Sequence, residues 1–229
     1  MNQISGHFDK IARDYDDHKK KNWYYYDNLK KLFINLIPPQ KKVLDVGCGT
    51  GDILVNLKPS YGLGIDISQE MIKIAQLKYK NKPNIQFLFG TIEKFVGSGL
   101  SQKFEYIYMA DVIEHLRDVS LAIKSVSQVA DSNTKVIISM ANPLWEPVLL
   151  ILEKLKLKMA EGPHKRISFK KMESILINND FRIIDKGYRL LLPIYVPFLS
   201  DFINKYFYHV PLLKSLGLII FIKCSKISQ

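Results

Sequence analysis

Two hydrophobic rhythms alternate along the chain. Short apolar runs rich in β-branched residues recur near residues 42–46, 62–66, 84–89, 103–109 and 134–140 and read as strands. Between them, apolar positions fall three and four residues apart, which predicts helices near 52–57, 69–79, 118–130 and 168–179. Such alternation predicts an α/β fold: a mostly parallel sheet, helices on both faces, and ligands at the C-terminal ends of the strands. Two helices are expected before the first strand. Phe8, Ile11, Ala12 and Tyr15 mark one. A second, over roughly Trp23 to Ile37, carries Tyr26, Leu29, Leu32, Phe33 and Leu36 and stops at Pro38-Pro39. After the fifth strand comes a basic amphipathic stretch, Val148 to Met159. Gly162-Pro163-His164 then precedes a helix opened by Ser168. The tail reads as a strand from Phe181 to Leu191, an aromatic-rich insertion, and a last strand from Leu218 to Cys224.

The first strand runs into Val43-Leu44-Asp45-Val46-Gly47-Cys48-Gly49-Thr50-Gly51-Asp52, after which Ile53, Leu54 and Leu57 begin a helix. A strand, a glycine turn and a helix N-terminus make a nucleotide-binding corner, because glycine permits unusual backbone angles and lets a ligand lie on bare main chain. A dinucleotide corner is spaced G-x-G-x-x-G and holds a pyrophosphate. Here the spacing is G-x-G-x-G, and Asp45 stands two residues before the first glycine. An ionised carboxylate there repels a pyrophosphate and suits a cation such as a sulfonium or an ammonium. The segment resembles motif I of the class I S-adenosylmethionine-dependent methyltransferases.

The resemblance implies a Rossmann-like, seven-stranded, mostly parallel sheet with an antiparallel last strand and an N-terminal helical cap. It also implies a cap or lid over residues 1–40 and a methyltransferase domain over 41–229, with insertions at about 142–166 and 193–216. The expected cofactor is S-adenosylmethionine, held by Asp45, Gly47, Cys48, Gly49 and Gly51. Asp66 ends the second strand about 20 residues later, where an acid accepts the ribose hydroxyls, and Ile67 would flank the adenine. Asp66 also fits a nicotinamide enzyme or a simple helix cap. In Gly90-Thr91-Ile92-Glu93, Thr91 replaces the acid that many relatives carry. Its hydroxyl could still accept a hydrogen bond, and the Ile92 N–H could still meet the ring. His7 to Asp16 matches the family's F-D-x-x-A-x-x-Y-D lid segment, which makes Tyr15 a candidate over the methionine end; cap packing explains the same aromatics.

The fourth strand ends at Ala110 and Asp111, where the family's backbone passes under the methionine moiety. Asp111, Glu114 and His115 are spaced i, i+3 and i+4, which would put them on one helical face. Imidazoles titrate near neutrality, so His115, with Glu114 beside it, is the candidate acceptor-side base. The same trio, with His164, has the residue types of a divalent-metal set, as in E-x-x-E-H relatives; aspartate in first place shortens the reach, and the reading taken is no metal. Capping and packing of a short turn is the third alternative. His164 could reach the acceptor or simply be exposed.

Composition changes the picture little. The 229 residues are 47% hydrophobic, enough for one well-buried domain. Cys48 and Cys224 form no disulfide framework, the N-terminus lacks a signal-peptide pattern, and the runs Leu190 to Leu199 and Leu216 to Ile222 are too short for a span. The expected location is cytoplasmic, with peripheral contact at the inner membrane face as an option. The net charge of +11 suits an anionic partner, but it comes from dispersed lysines and only five arginines, so nucleic acid is the less favoured partner. Phe198, Phe202, Tyr206, Phe207 and Tyr208 make the tail insertion greasy. It could line an apolar acceptor pocket, touch a membrane, or pack on the domain or on a second subunit. The expected function is methyl transfer to a small-molecule or lipid-like acceptor by a monomer or homodimer. RNA methylation, or a non-catalytic cofactor-binding or membrane-associated protein, is the rival. A nicotinamide oxidoreductase is remote, since no Tyr-x-x-x-Lys follows the fourth strand.

Overall fold

In the computed structural model, which describes residues 3–97, 102–159, 162, 164–207 and 210–227, the short apolar runs pair in parallel. They are β1 (Lys42–Val46), β2 (Tyr61–Asp66), β3 (Ile85–Phe89), β4 (Tyr106–Ala110) and β5 (Lys135–Ala141). β6 (Phe181–Arg189) and β7 (Ile219–Lys226) close the sheet, and β7 runs antiparallel to both its neighbours. The order is β3-β2-β1-β4-β5-β7-β6. It reverses between β1 and β4, and a crevice at the C-terminal ends of those two strands is where such sheets hold ligands.

Strand side chains alternate between two cores. Leu44, Val46, Ile107, Met109, Val136 and Ile138 face one, covered by α7 (Val119–Val129) and α9 (Phe169–Ile177). Val43, Tyr108, Ile137 and Phe221 face the other, with Leu29, Leu32 and Phe33 of α3 (Trp23–Leu36) and Leu54 of α4 (Asp52–Asn56). Asp45 points to this second face, directly opposite Tyr108 on β4. Ser68, Asp118 and Ser168 cap α5 (Gln69–Lys78), α7 and α9, each accepting from a backbone N–H three residues on; such caps contribute about 1 kcal/mol each.

The segment before β1 departs from the two predicted helices. α1 (Gln3–Ile11) ends early, a 3₁₀ turn occupies Ala12–Asp14, and a separate helix, α2 (Tyr15–Lys21), follows before α3. Apolar spacing runs smoothly through this break, so it was invisible in the pattern. Tertiary bonds from Asp9 and Asp16, described below, hold the two halves in place. α6 (Ile92–Gly97) was not expected. The stretches after β5 and β6 contain α8 (Glu146–Lys154), α10 (Leu199–Tyr206) and α11 (Pro211–Lys214). Pro163 and Tyr208 lie outside the described residues.

Candidate active site

At the end of β1 the backbone folds onto β2: the Gly47 and Cys48 N–H groups both donate to the Ile65 carbonyl, at 2.8 and 3.0 Å. Gly47, Gly49 and Gly51 all have positive φ, at 82°, 51° and 82°. The reason differs by position. A Cβ on Gly47 would sit 2.3 Å from Val112 Cγ2, so its absence lets the loop after β4 close on the turn. A Cβ on Gly51 would sit 2.5 Å from Phe87 Cζ. Gly51 therefore packs back against β3 and does not line the cleft, unlike Gly47, Cys48 and Gly49.

That cleft has a volume of about 570 Å³ and lies over the ends of β1, β2 and β4. Asp45 is buried on its wall. The Tyr108 hydroxyl donates to Asp45 Oδ2 at 2.5 Å, while Oδ1 has no hydrogen-bond partner among the described residues. Burial, with Asp66 adding to it against the Tyr108 bond, pushes the Asp45 carboxyl up to about 8. A buried half-satisfied carboxylate costs free energy unless a cation joins it.

Asp66 stands across the turn. Its Oδ2 accepts from Gly49 N–H and its Oδ1 from Ser68 N–H, both at 2.8 Å, and the residue lines the cleft. Burial raises this carboxyl too, against those backbone bonds. Ile67, Thr91, Ile92 and Ala110 complete the same wall.

The N-terminal helices roof it. The Ser68 hydroxyl and the Glu70 N–H donate to Asp9 Oδ1 at 2.7 and 3.2 Å, so an acid of α1 sits at the positive end of α5. Thr50 Oγ1 and Lys78 Nζ donate to the two oxygens of Asp16, both at 2.7 Å. Burial would raise the Asp16 carboxyl, but the bonds from Lys78 and Thr50 outweigh it and hold it below its ordinary range. Between these anchors Ala12 is buried, Phe8 packs edge-on to His115 with ring centroids 5.2 Å apart, and the Tyr15 ring lies over Gly49. Each fixed residue of the F-D-x-x-A-x-x-Y-D pattern thus has a contact.

The polar trio after β4 departs from expectation. Asp111 takes φ +54°, and only a 3₁₀ turn, Ile113–His115, follows, so the three residues share no α-helical face. Asp111 turns back to accept from Ser139 Oγ at 2.7 Å and from the Tyr25 hydroxyl at 2.5 Å. Glu114 is buried: its Oε1 accepts from Ala141 N–H at 2.7 Å and faces Arg166 Nη1 at 3.4 Å, while Oε2 has no partner among the described residues. Burial, and then the Asp111 charge, raise the Glu114 carboxyl to about 7. Arg166 also donates to Glu146, whose other oxygen lies 2.9 Å from His164 Nε2. His115 and His164 have ring centroids 6.3 Å apart. Among the described residues no three His, Cys, Asp or Glu side chains are grouped to hold a metal ion.

Sequence reasoning missed Tyr25, Tyr108, Ser139, Glu146 and Arg166. All five act through contacts distant in sequence, and only the Asp45–Tyr108 pair could have been found, by aligning β1 with β4. The corner fits S-adenosylmethionine: an orphan carboxylate oxygen awaits a cation, and a second acid keeps acceptor capacity for hydroxyls.

A ubiquinone biosynthesis O-methyltransferase from Bartonella bacilliformis is 26% identical over 155 residues, which is 63% of this chain and 61% of the relative. The chain spans under two thirds of the length of this and similar ubiquinone relatives. Among solved structures, a SAM-dependent methyltransferase from Aquifex aeolicus superimposes with TM-score 0.62 at 15% identity, covering 96% of this chain and 98% of the other. The magnesium protoporphyrin IX methyltransferase of Synechocystis PCC 6803 with bound S-adenosylhomocysteine gives 0.58 at 20% identity, covering 90% and 83%. Both share its fold. A model described as a methyltransferase domain matches residues 37–182, well over half of the chain, and the chain therefore belongs to the class I S-adenosylmethionine-dependent methyltransferase family.

Proposed function

We propose that this chain moves a methyl group from S-adenosylmethionine to a small apolar or lipid-like acceptor by in-line displacement. The observation that carries the reading is one cleft with two characters. The wall that holds Asp45 and Asp66 continues into one made by Phe8, Trp145, Leu149, Leu152 and Ile194. An apolar lining with a few placed polar groups suits a hydrophobic acceptor. The ubiquinone relative, named for quinone biosynthesis, supports the same class.

S-adenosylmethionine supplies a methyl group already activated on a sulfonium, so the protein's work is positioning and exclusion of water, which alone lowers a barrier by several kcal/mol. Asp45 attracts the positive methionine end. Asp66 accepts the ribose hydroxyls, with Ile67 and Ile92 against the adenine and the Thr91 hydroxyl at its edge. Gly47, Cys48 and Gly49 let the ligand approach the backbone. Ala110 and Asp111 floor the methionine end, and Tyr15 covers it from the lid. Where the acceptor is a hydroxyl, Glu114 takes its proton through the unpartnered Oε2, with His115 on the same wall.

RNA is the weaker substrate class. Arg166 is committed to Glu146 and Glu114, and Arg189 lies over the Phe221 ring, so two of the five arginines serve the fold. The test is methyl-labelled S-adenosylmethionine offered with hydrophobic phenols and quinols in one reaction and with total RNA in another. Label in the organic phase is expected. Label in RNA alone, or no binding of S-adenosylmethionine, overturns the proposal.

A further inference from the structure

We propose that the surface built by α8 and residues 193–207 and 210–216 docks on an anionic lipid bilayer, with the mouth of the cleft turned toward it. The two segments are clasped together. Trp145 Nε1 donates to the Leu216 carbonyl at 2.6 Å, and Asn142 Nδ2 donates to the Ser215 and Gly217 carbonyls, both at 2.9 Å. Both segments also line the cleft, α8 through Val148, Leu149 and Leu152, the other through Pro193 and Ile194. Their outer sides stay apolar in water: Leu144, Ile151, Leu155, Leu157, Phe198 and Phe202 are all exposed.

Phe198 is the extreme case. It is 91% exposed, and it sits at φ +61°, a conformation that a bulky residue adopts only at a cost. The loop that displays it is braced. Buried Ser200 donates to the Ile194 carbonyl and accepts from Val196 N–H, both at 2.7 Å, and Asn204 grips both the N–H and the carbonyl of Leu192 at 3.0 Å. A strained, internally fastened loop that holds a phenyl ring in solvent is built for an apolar medium outside the chain.

Charge selects the occupant. Lys154, Lys156, Lys205 and Lys214 are exposed and alternate along the chain with these apolar residues. Of the acids in these segments, Glu146 is paired with Arg166 and His164, Asp201 accepts from the Tyr24 hydroxyl, and Glu153 on α8 is outnumbered by the four lysines. The whole chain carries +11. Protein–protein interfaces are depleted of lysine, whereas surfaces that lie on anionic membranes combine exposed aromatics and leucines with lysine. No helix among the described residues is long and apolar enough to cross a bilayer.

The proposal deepens the lipid-like acceptor reading, yet its vesicle-binding readout needs no acceptor. Wild-type protein is sedimented with vesicles of phosphatidylcholine alone and of phosphatidylcholine with phosphatidylglycerol, at low and high salt. Expected is binding to the anionic vesicles, weakened by salt, with little on the neutral ones. Phe198→Ser is expected to lower the vesicle partition coefficient about tenfold, and Lys154→Glu with Lys156→Glu to lower it as well. None of these three residues lines the cleft, so turnover of a water-soluble acceptor should be unchanged. Equal binding to both vesicle types, no loss in Phe198→Ser, or a concentration-dependent dimer that Phe198→Ser dissolves would overturn the proposal. Absent methyl transfer with intact vesicle binding would instead count against the proposed activity alone.

Discussion

Tyr108 and Asp45 face each other across β4 and β1, and the 2.5 Å bond from the tyrosine hydroxyl satisfies only one of the two buried carboxylate oxygens. The other oxygen is what a cationic ligand would meet. Because burial lifts this carboxyl to about 8, Asp45 is largely protonated at neutral pH in the ligand-free protein. A cation entering the cleft has to displace that proton. Binding of S-adenosylmethionine should therefore tighten as pH rises from about 6 to 8, by at most about tenfold per unit, and level off above. Calorimetry in buffers of different ionisation enthalpy should show a proton released on binding. Asp45→Asn should bind more weakly and lose both effects.

The same carboxyls bear on stability. Asp45 and Glu114 both titrate higher when folded than their ordinary values of 3.8 and 4.5. Between those values and the folded ones, the native state binds more protons than the unfolded state. The stabilisation is complete below about pH 4 and is lost as pH rises through 7 and 8. The melting temperature of the ligand-free protein should fall from pH 5 to pH 8, and saturating S-adenosylmethionine should flatten the slope. A rise over that range would show that the buried acids are not protonated.

Gly47→Ala tests the close approach behind the turn. The new methyl meets Val112 Cγ2 at 2.3 Å while the backbone stays at φ +82°. Overpacking and the strained φ together should cost about 2–4 kcal/mol, measured by urea unfolding. Adding Val112→Ala should recover the part due to the clash and leave the part due to φ. If the double variant recovers nothing, the contact is not the reason for the glycine.

The lid should behave as a latch. Thr50 Oγ1 donates to Asp16 Oδ1 at 2.7 Å, and Thr50 is fully buried. Asp16→Ala and Thr50→Val should each speed amide exchange across residues 3–21 and raise the dissociation rate of S-adenosylmethionine. A double-mutant cycle should give a coupling of about 1 kcal/mol or less, since the Asp16 side chain keeps contact with water. Additive effects would mean that the bond carries no coupling.

The elements most legible in the chain were those whose signal is local. Apolar runs and glycines placed β1, β2 and the turn between β1 and α4, and Ser168 announced the start of α9. The 3₁₀ break at Ala12–Asp14 is hidden because residues on both sides keep helical spacing, and the bonds of Asp9 and Asp16 to α5 and to Thr50, which flank it, are distant in sequence. Asp111 misled in a similar way. Its spacing to Glu114 suggests one helical face, yet bonds to Ser139 and Tyr25, 28 and 86 residues away, pull it into a left-handed turn. Gly51 was read as ligand-facing because it belongs to the motif, whereas its neighbour in space is Phe87.

Glu114→Gln separates a base from a structural acid. Oε1 already serves Ala141 N–H and Arg166, and an amide oxygen can keep accepting from both, so the turn should survive the change. Only the proton-accepting capacity at Oε2 is lost. With saturating S-adenosylmethionine, which removes the Asp45 effect, wild-type activity on a hydroxyl acceptor should rise with pH through about 7, as Glu114 ionises, and then level. The variant should lose that limb and about 10²–10⁴-fold in kcat, with cofactor affinity unchanged. An amine acceptor, which arrives with its own lone pair, should be affected far less. If the limb persists in Glu114→Gln and disappears in His115→Ala, the proton goes to the imidazole that packs against Phe8 of the lid, and closure of α1 over the cleft then becomes a condition for the base to be in place.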